Sequence, residues 1–260
     1  MGSRGGRDRK PARFRAVAAV GLIGAAAALS SCSASVKGGD NANLIEGKKA
    51  FVARCGSCHT LARAETKGIV GPNLDEAFRV AIREGLVPGP QRADIRATVE
   101  EQIKIPNPEG AMPKELATGQ LARDIAAYVA ASADQPGKDS GLLATAVAAP
   151  GAGKPIEEQA GKLKIETNPA GQLAYVSNKA NAKAGPVTIE MPNMSGVTHN
   201  IALEAGAGGA SGTGAALGAS SFISHGTTSF SVTLKPGTYT FFCQVPGHRA
   251  AGMFGTLTVK

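Results

Sequence analysis

Cys243-Gln244-Val245-Pro246-Gly247-His248-Arg249-Ala250-Ala251-Gly252-Met253 places a thiol, an imidazole and a thioether on one short stretch, with four residues between each. A thiolate, imidazoles and a weak thioether in a rigid frame are the donors of a mononuclear blue-copper centre, which cycles by one electron. The second imidazole has to come from elsewhere, and His199 in Thr198-His199-Asn200 is the candidate. Cysteine is often simply buried, but here three ligand types recur together behind an alternating apolar run, Tyr239, Phe241 and Cys243. A binuclear copper centre needs a second cysteine in this loop, and a copper nitrite reductase needs three further histidines; neither is present.

The period of two extends outward from this stretch. Val187, Ile189 and Met191 alternate with polar neighbours, as do Phe230, Val232 and Leu234, and Leu257 with Val259 closes the chain. Pro236-Gly237 supplies a tight turn between two of these runs. Short strands with turns between them predict a small β-sandwich or barrel from about residue 161 to 260. Ala205 to Ser220, rich in Gly and Ala, reads as a mobile connection, and His225 as a surface residue.

Upstream, apolar residues follow a helical spacing instead. The first helix is expected to start at Asn43 with Glu46 as its capping partner, and to place Leu44, Phe51 and Cys55 on one face. A last helix is expected over Gly119 to Ala131, capped by Thr118, with Leu121, Ile125, Tyr128 and Val129 on one stripe. Shorter helices are expected around Glu76–Glu84 and Ala93–Lys104. The first helix leads straight into Cys55-Gly56-Ser57-Cys58-His59, the pentapeptide that attaches haem through two thioethers with the imidazole beneath the iron. Gly71-Pro72-Asn73-Leu74 follows soon after, and Met112 in Gly110-Ala111-Met112-Pro113 is the unit's single methionine.

On these residues the segment 42–133 resembles class I cytochromes c. The resemblance implies a haem held covalently by Cys55 and Cys58, with His59 and Met112 as axial ligands. It also implies that the Pro72 carbonyl accepts a hydrogen bond from the His59 ring. Gly47 and Phe51, with Tyr128, correspond to the family's close helix–helix contact. His/Met ligation raises the haem potential, and a six-coordinate iron leaves no open position for oxygen or peroxide.

Residues 161–260 resemble cupredoxins, through the Cys243–His248–Met253 spacing and His199. The four-residue gap between Cys and His is similar to auracyanins or azurins rather than plastocyanins, which usually have two residues there. The resemblance implies one type 1 copper ligated by His199, Cys243, His248 and Met253, with Asn200 bracing the ligand loop. The expected architecture is therefore multidomain: an all-α cytochrome c domain followed by an all-β Greek-key cupredoxin sandwich.

Charge and cysteine usage locate the chain. It holds 28 basic and 20 acidic residues, but six of the basic ones and one acid lie in residues 1–31. No basic run survives outside that leader, so no nucleic-acid partner is expected. The leader is a basic stretch up to Arg15, an uncharged Ala-rich stretch, and Leu29-Ser30-Ser31-Cys32. It resembles a bacterial lipoprotein signal, which implies lipidation of Cys32 and a position on the extracytoplasmic face of a membrane, periplasmic side or cell surface. A plain signal peptide cut after an alanine is the alternative. The four cysteines then all have roles: Cys32 for lipid, Cys55 and Cys58 for haem, Cys243 for copper.

The expected division is 1–31 signal peptide, 32–41 tether, 42–133 haem domain, 134–160 linker and 161–260 copper domain. A flexible linker of about 27 residues spans roughly 30 Å and holds two domains near millimolar effective concentration, while packing of the apolar patch Leu142–Val147 on a domain is the alternative. The expected activity is electron carriage, not catalysis, between a respiratory or photosynthetic donor and a terminal acceptor, with partners such as a quinol-oxidising donor and a terminal oxidase. A fixed redox subunit of a respiratory complex, a copper-delivery module and a small reductase are the other readings.

Overall fold

The computed structural model describes residues 2, 38, 41–87, 92–212 and 215–260. The leader and Cys32 lie outside the described residues. Among the described residues no helix is long and apolar enough to cross a membrane.

Four helices build the first half: α1 (Leu44–Arg54), α2 (Leu74–Arg83), α3 (Ala93–Lys104) and α4 (Gly119–Ser132). A two-residue hairpin, β1 (Thr60–Leu61) with β2 (Thr66–Lys67), follows the CxxCH turn. Asn43 caps α1 as its residue type predicts, its side chain accepting from the Ile45 and Glu46 amides at 3.1 and 3.4 Å. The reciprocal partner is not Glu46, which pairs with Lys49 at 2.9 Å. Asp124 of α4 instead accepts from the Asn43 amide at 2.9 Å, so the cap is closed by another helix. Thr118 precedes α4 but makes no capping bond with its side chain.

Helices α1 and α4 cross closely. A Cβ at Gly47 would overlap the Asp124 carbonyl and lie 2.9 Å from Tyr128 Cβ, so only glycine permits the approach. Phe51 and Tyr128 meet with ring centroids 6.3 Å apart. Phe51, Leu61, Ile125, Tyr128 and Val129 are fully buried around this crossing.

The second half is a two-sheet sandwich. Its strands are β3 (Ile156–Glu157), β4 (Lys162–Lys164), β5 (Lys179–Ala182), β6 (Gly185–Asn193), β7 (Ala202–Ala205), β8 (Ala216–Ala219), β9 (Gly226–Leu234), β10 (Gly237–Phe242) and β11 (Phe254–Val259), with a short helix α5 (His248–Ala251) before the last. One sheet has the order β3-β5-β11-β10-β7-β8 and the other β4-β6-β9. The alternation read from the sequence is the pleat: Val187, Ile189 and Met191 point into the core with Phe241 and Leu257. Part of the Ala205–Ser220 stretch, expected as a mobile connection, is β8, paired antiparallel to β7.

Segment 134–160, expected as a linker, is pinned at several points although many of its residues are exposed. Asp134 lies 3.2 Å from both Arg79 and Arg83. The Asp139 side chain, 4 % exposed, pairs with Lys48 at 3.0 Å and Arg63 at 3.2 Å and accepts from Tyr128 OH at 2.7 Å. A carboxylate so buried is tolerated only when paired, and here its partners come from α1, the hairpin and α4. Lys48 also donates to the Leu143 carbonyl at 2.8 Å, and Leu143 and Val147 pack against the helical core. At its far end the segment supplies β3, parallel to β5. Residues Ala34–Lys260 consequently form one compact unit.

Candidate metal centres

In the sandwich, β10 delivers Cys243 and the turn into α5 delivers His248. The Gly247 φ of +83° makes that turn possible. Successive backbone bonds lock the loop: His248 N to Val245 O at 3.0 Å, Met253 N to His248 O at 2.9 Å, and Cys243 N to Met253 O at 3.1 Å. His199 arrives from before β7, held in a reciprocal backbone pair with Ile223 at 2.9 Å each way.

These elements bring three donor atoms together. His199 Nδ1 and His248 Nδ1 are 3.1 Å apart, and the Cys243 sulfur lies 3.9 and 3.6 Å from them. All three lie within 4.8 Å of one another, the spacing of ligands around a single ion. Met253 is fully buried in the same core as Cys243. His225 is exposed and outside the cluster.

Burial sets the protonation of the donors. His199 is pushed down to about 3, by desolvation first and by His248 second, and burial lowers His248 as well. Both imidazoles are thus neutral near pH 7 and offer lone pairs. Burial pushes the Cys243 thiol up, opposed by hydrogen bonds from the Asn200 and Val245 amides. Those amides stabilise the thiolate that a metal ion would bind.

Asn200, expected to brace the ligand loop, bonds across to it. Its side chain donates to Gln244 Oε1 and accepts from the Gln244 amide, both at 2.8 Å, tying the residue after His199 to the residue after Cys243. Tyr175 OH donates to the Asn200 carbonyl at 2.9 Å from inside the core.

A second brace escaped the sequence reading. Arg249, next to His248, donates through Nη1 to Glu204 Oε2 at 3.1 Å and through Nη2 to Oε1. Its Nε donates to the Gly209 carbonyl at 2.8 Å, and the guanidinium lies 4.0 Å over the ring of Phe242, the neighbour of Cys243. Glu204 is 1 % exposed. The signal available in the sequence was a lone carboxylate inside the apolar run Ile201–Ala205.

In the helical half, Cys55, Cys58, His59, Pro72 and Met112 all line one cavity of about 970 Å³. That volume lies at the top of the ~300–1,000 Å³ range of cofactor sites. The turn after α1 sets the thiols: Cys58 N and His59 N both bond to the Cys55 carbonyl, at 3.0 and 2.8 Å. Both thiols are free. Cys55 is pushed up to about 12 by burial, with Cys58 adding to the shift and Arg54 opposing it.

His59 Nδ1 lies 2.9 Å from the Pro72 carbonyl. A carbonyl only accepts, so Nδ1 is the donor in this bond, and in the neutral ring that tautomer leaves the lone pair on Nε2. Gly71 lies against the imidazole so closely that a Cβ there would overlap the ring. The two thiols, the oriented imidazole, the thioether of Met112 and the largely apolar walls fit a c-type haem.

Comparison with known proteins bears on the sandwich. The family of copper binding proteins, plastocyanin/azurin family, matches residues 162–260. Similar solved structures include reduced auracyanin from the photosynthetic bacterium Roseiflexus castenholzii, 23% identical over 40% of this chain and 99% of that one, with a TM-score of 0.34. Auracyanin B is 25% identical over 43% of this chain and 96% of its own, at 0.35. Rusticyanin from Thiobacillus ferrooxidans is 22% identical over 42% and 84%, at 0.32. No curated protein matches the chain.

Proposed function

We propose, taking residues 162–260 as a copper domain of the plastocyanin/azurin family, that this protein is an extracytoplasmic single-electron carrier with two centres. The observation that carries the reading is the convergence of His199, Cys243 and His248 within that domain. Met253 is the weak fourth ligand of a type 1 copper. Cys55 and Cys58 hold a haem covalently, with His59 and Met112 as its axial ligands. Bound there, each cofactor supplies reversible one-electron redox chemistry.

The chain's own residues prepare both sites for that task. The Pro72 carbonyl fixes the His59 tautomer at 2.9 Å. Asn200 and Gln244 hold the two copper-ligand segments in register through two 2.8 Å bonds. Such fixed donors limit rearrangement between oxidation states and favour transfer over substrate binding. Cys32 carries the lipid that anchors the protein to the membrane, where a quinol-oxidising donor and a terminal oxidase are its redox partners.

The test is a visible spectrum of matured protein during stepwise reduction, paired with metal analysis. One low-spin c-type haem and one intense thiolate-to-copper band are expected in equal amounts. Protein matured with cytochrome c assembly factors but lacking iron would overturn the haem half. Protein given copper but showing no thiolate band would overturn the copper half.

A further inference from the structure

We infer that the two halves meet in a fixed joint made from the walls of both centres, with Ser195-Gly196-Val197 of the copper domain closing the haem cavity. The inference rests on the haem reading above. Ser195, Gly196 and Val197 line the same cavity as Cys55, His59 and Met112. Val197 is two residues from the copper ligand His199.

This loop is braced to keep its shape. Asn193, fully buried, donates to the Val197 and Ile223 carbonyls at 2.8 Å each. Its oxygen accepts from Ser195 Oγ at 2.7 Å and from Ser195 N at 3.0 Å. Ser195 Oγ in turn accepts from the Val197 amide at 3.1 Å. Thr167 Oγ1 adds a 3.0 Å bond to the same Asn193 oxygen. A loop so tied is part of the rigid sandwich rather than a mobile flap.

Two further contacts sit equally near the ligands. Gly247, which precedes His248, faces Ile69, and a Cβ there would lie 2.6 Å from Ile69 Cδ1. Gly171 faces Ala53, two residues before Cys55, and a Cβ there would lie 2.5 Å from the Ala53 carbonyl oxygen. Segment 134–160 touches both sides: Asp139 is clamped in the helical half, β3 belongs to the sandwich, and Gln172 donates to the Ala148 carbonyl at 3.3 Å. A tether would leave the halves to find one another by diffusion. Here the Ser195–Val197, Gly247–Ile69 and Gly171–Ala53 contacts each involve a residue within four positions of a ligand or of Pro72, so the joint sets a short protein path between the sites and covers one side of the haem cavity.

The test uses matured full-length protein, with haem and copper content measured first on the same sample. Backbone ¹⁵N relaxation of the reduced form is then recorded over residues 44–132 and 162–259. One shared rotational correlation time is expected; two distinct times in fully loaded protein would overturn the joint alone. Loss of haem with one shared time would overturn the haem reading and leave the joint standing. As a second arm, Val197→Glu places a carboxylate at the cavity wall and is expected to lower the haem midpoint potential while the copper band stays unchanged. An unmoved haem potential in this variant, with its copper band intact, would count against the loop as part of the haem site.

Discussion

The two candidate centres are built on opposite principles. The copper donors are drawn together by the sandwich itself, with three ligand atoms within 4.8 Å and the connecting loop bonded at each step. The helical half instead supplies most of the walls of a cavity of about 970 Å³, with the candidate haem ligands standing around it. An ion adds almost no volume, so its frame can be completed by backbone bonds and packing. A porphyrin is itself much of a core, so its frame depends on being filled.

The largest consequence concerns cofactor removal. A site of about 970 Å³ with largely apolar walls leaves much of the helical half without packing partners when nothing fills it. Cys55→Ala/Cys58→Ala protein is therefore expected to lose helical circular dichroism while still forming the thiolate-to-copper band. Native helicity in haem-free protein would erase the contrast. Removing copper is expected to leave the β-sandwich folded.

Acid is the next lever, and it acts on the copper side. His199 is held at about 3 when folded, against 6.5 unfolded, so below pH 6.5 the unfolded chain takes up a proton that the folded apoprotein refuses. Its contribution is complete above 6.5 and is lost as pH falls towards 3, a loss on the order of 5 kcal/mol. Urea titrations of apoprotein at stepped pH values check this. A sandwich transition independent of pH over that window would show that His199 is not sealed from water.

The Glu204–Arg249 pair sharpens the comparison further. Arg249→Met would leave a carboxylate buried without its cation, at a cost of about 3–5 kcal/mol. The transition of the sandwich is expected to shift by that amount, while Glu204→Gln/Arg249→Met recovers most of it. A double variant no better than the single one would show that the guanidinium's packing on Phe242 matters more than its charge.

The smallest effects test the helix ends. Asn43→Ala is expected to cost about 1 kcal/mol, the ordinary value of a side-chain cap. Thr118→Ala is expected to change little, because its side chain makes no capping bond. Comparing the two by denaturation of holoprotein separates a cap defined by residue type from one defined by geometry.

Legibility followed distance along the chain. Cys243, His248 and Met253 share one loop, and their proximity is a matter of a few backbone bonds, so the spacing alone pointed to them. Cys55, Cys58 and His59 share one turn for the same reason. The pleated runs of β6 and the stripe of α4 were readable because burial repeats with the period of the backbone. Asp124 closing the α1 cap, Asp139 gathering Lys48, Arg63 and Tyr128, and Glu204 meeting Arg249 were not readable. Each joins residues far apart in sequence, and a charged side chain reads as solvent-facing until its partner is known.

The order of amino acids by itself determined which donors could exist, which stretches were helix or strand, and which loop would carry a thiolate, an imidazole and a thioether. Only the tertiary structure decided where segment 134–160 is pinned to each half, that Asn193 stiffens the loop before His199, and that this loop lines the cavity beside His59 and Met112. Local pattern is dictated by backbone periodicity and side-chain chemistry over a few residues. Where two distant surfaces meet depends on which buried charges and close glycine contacts are satisfied together, and no single stretch contains that information.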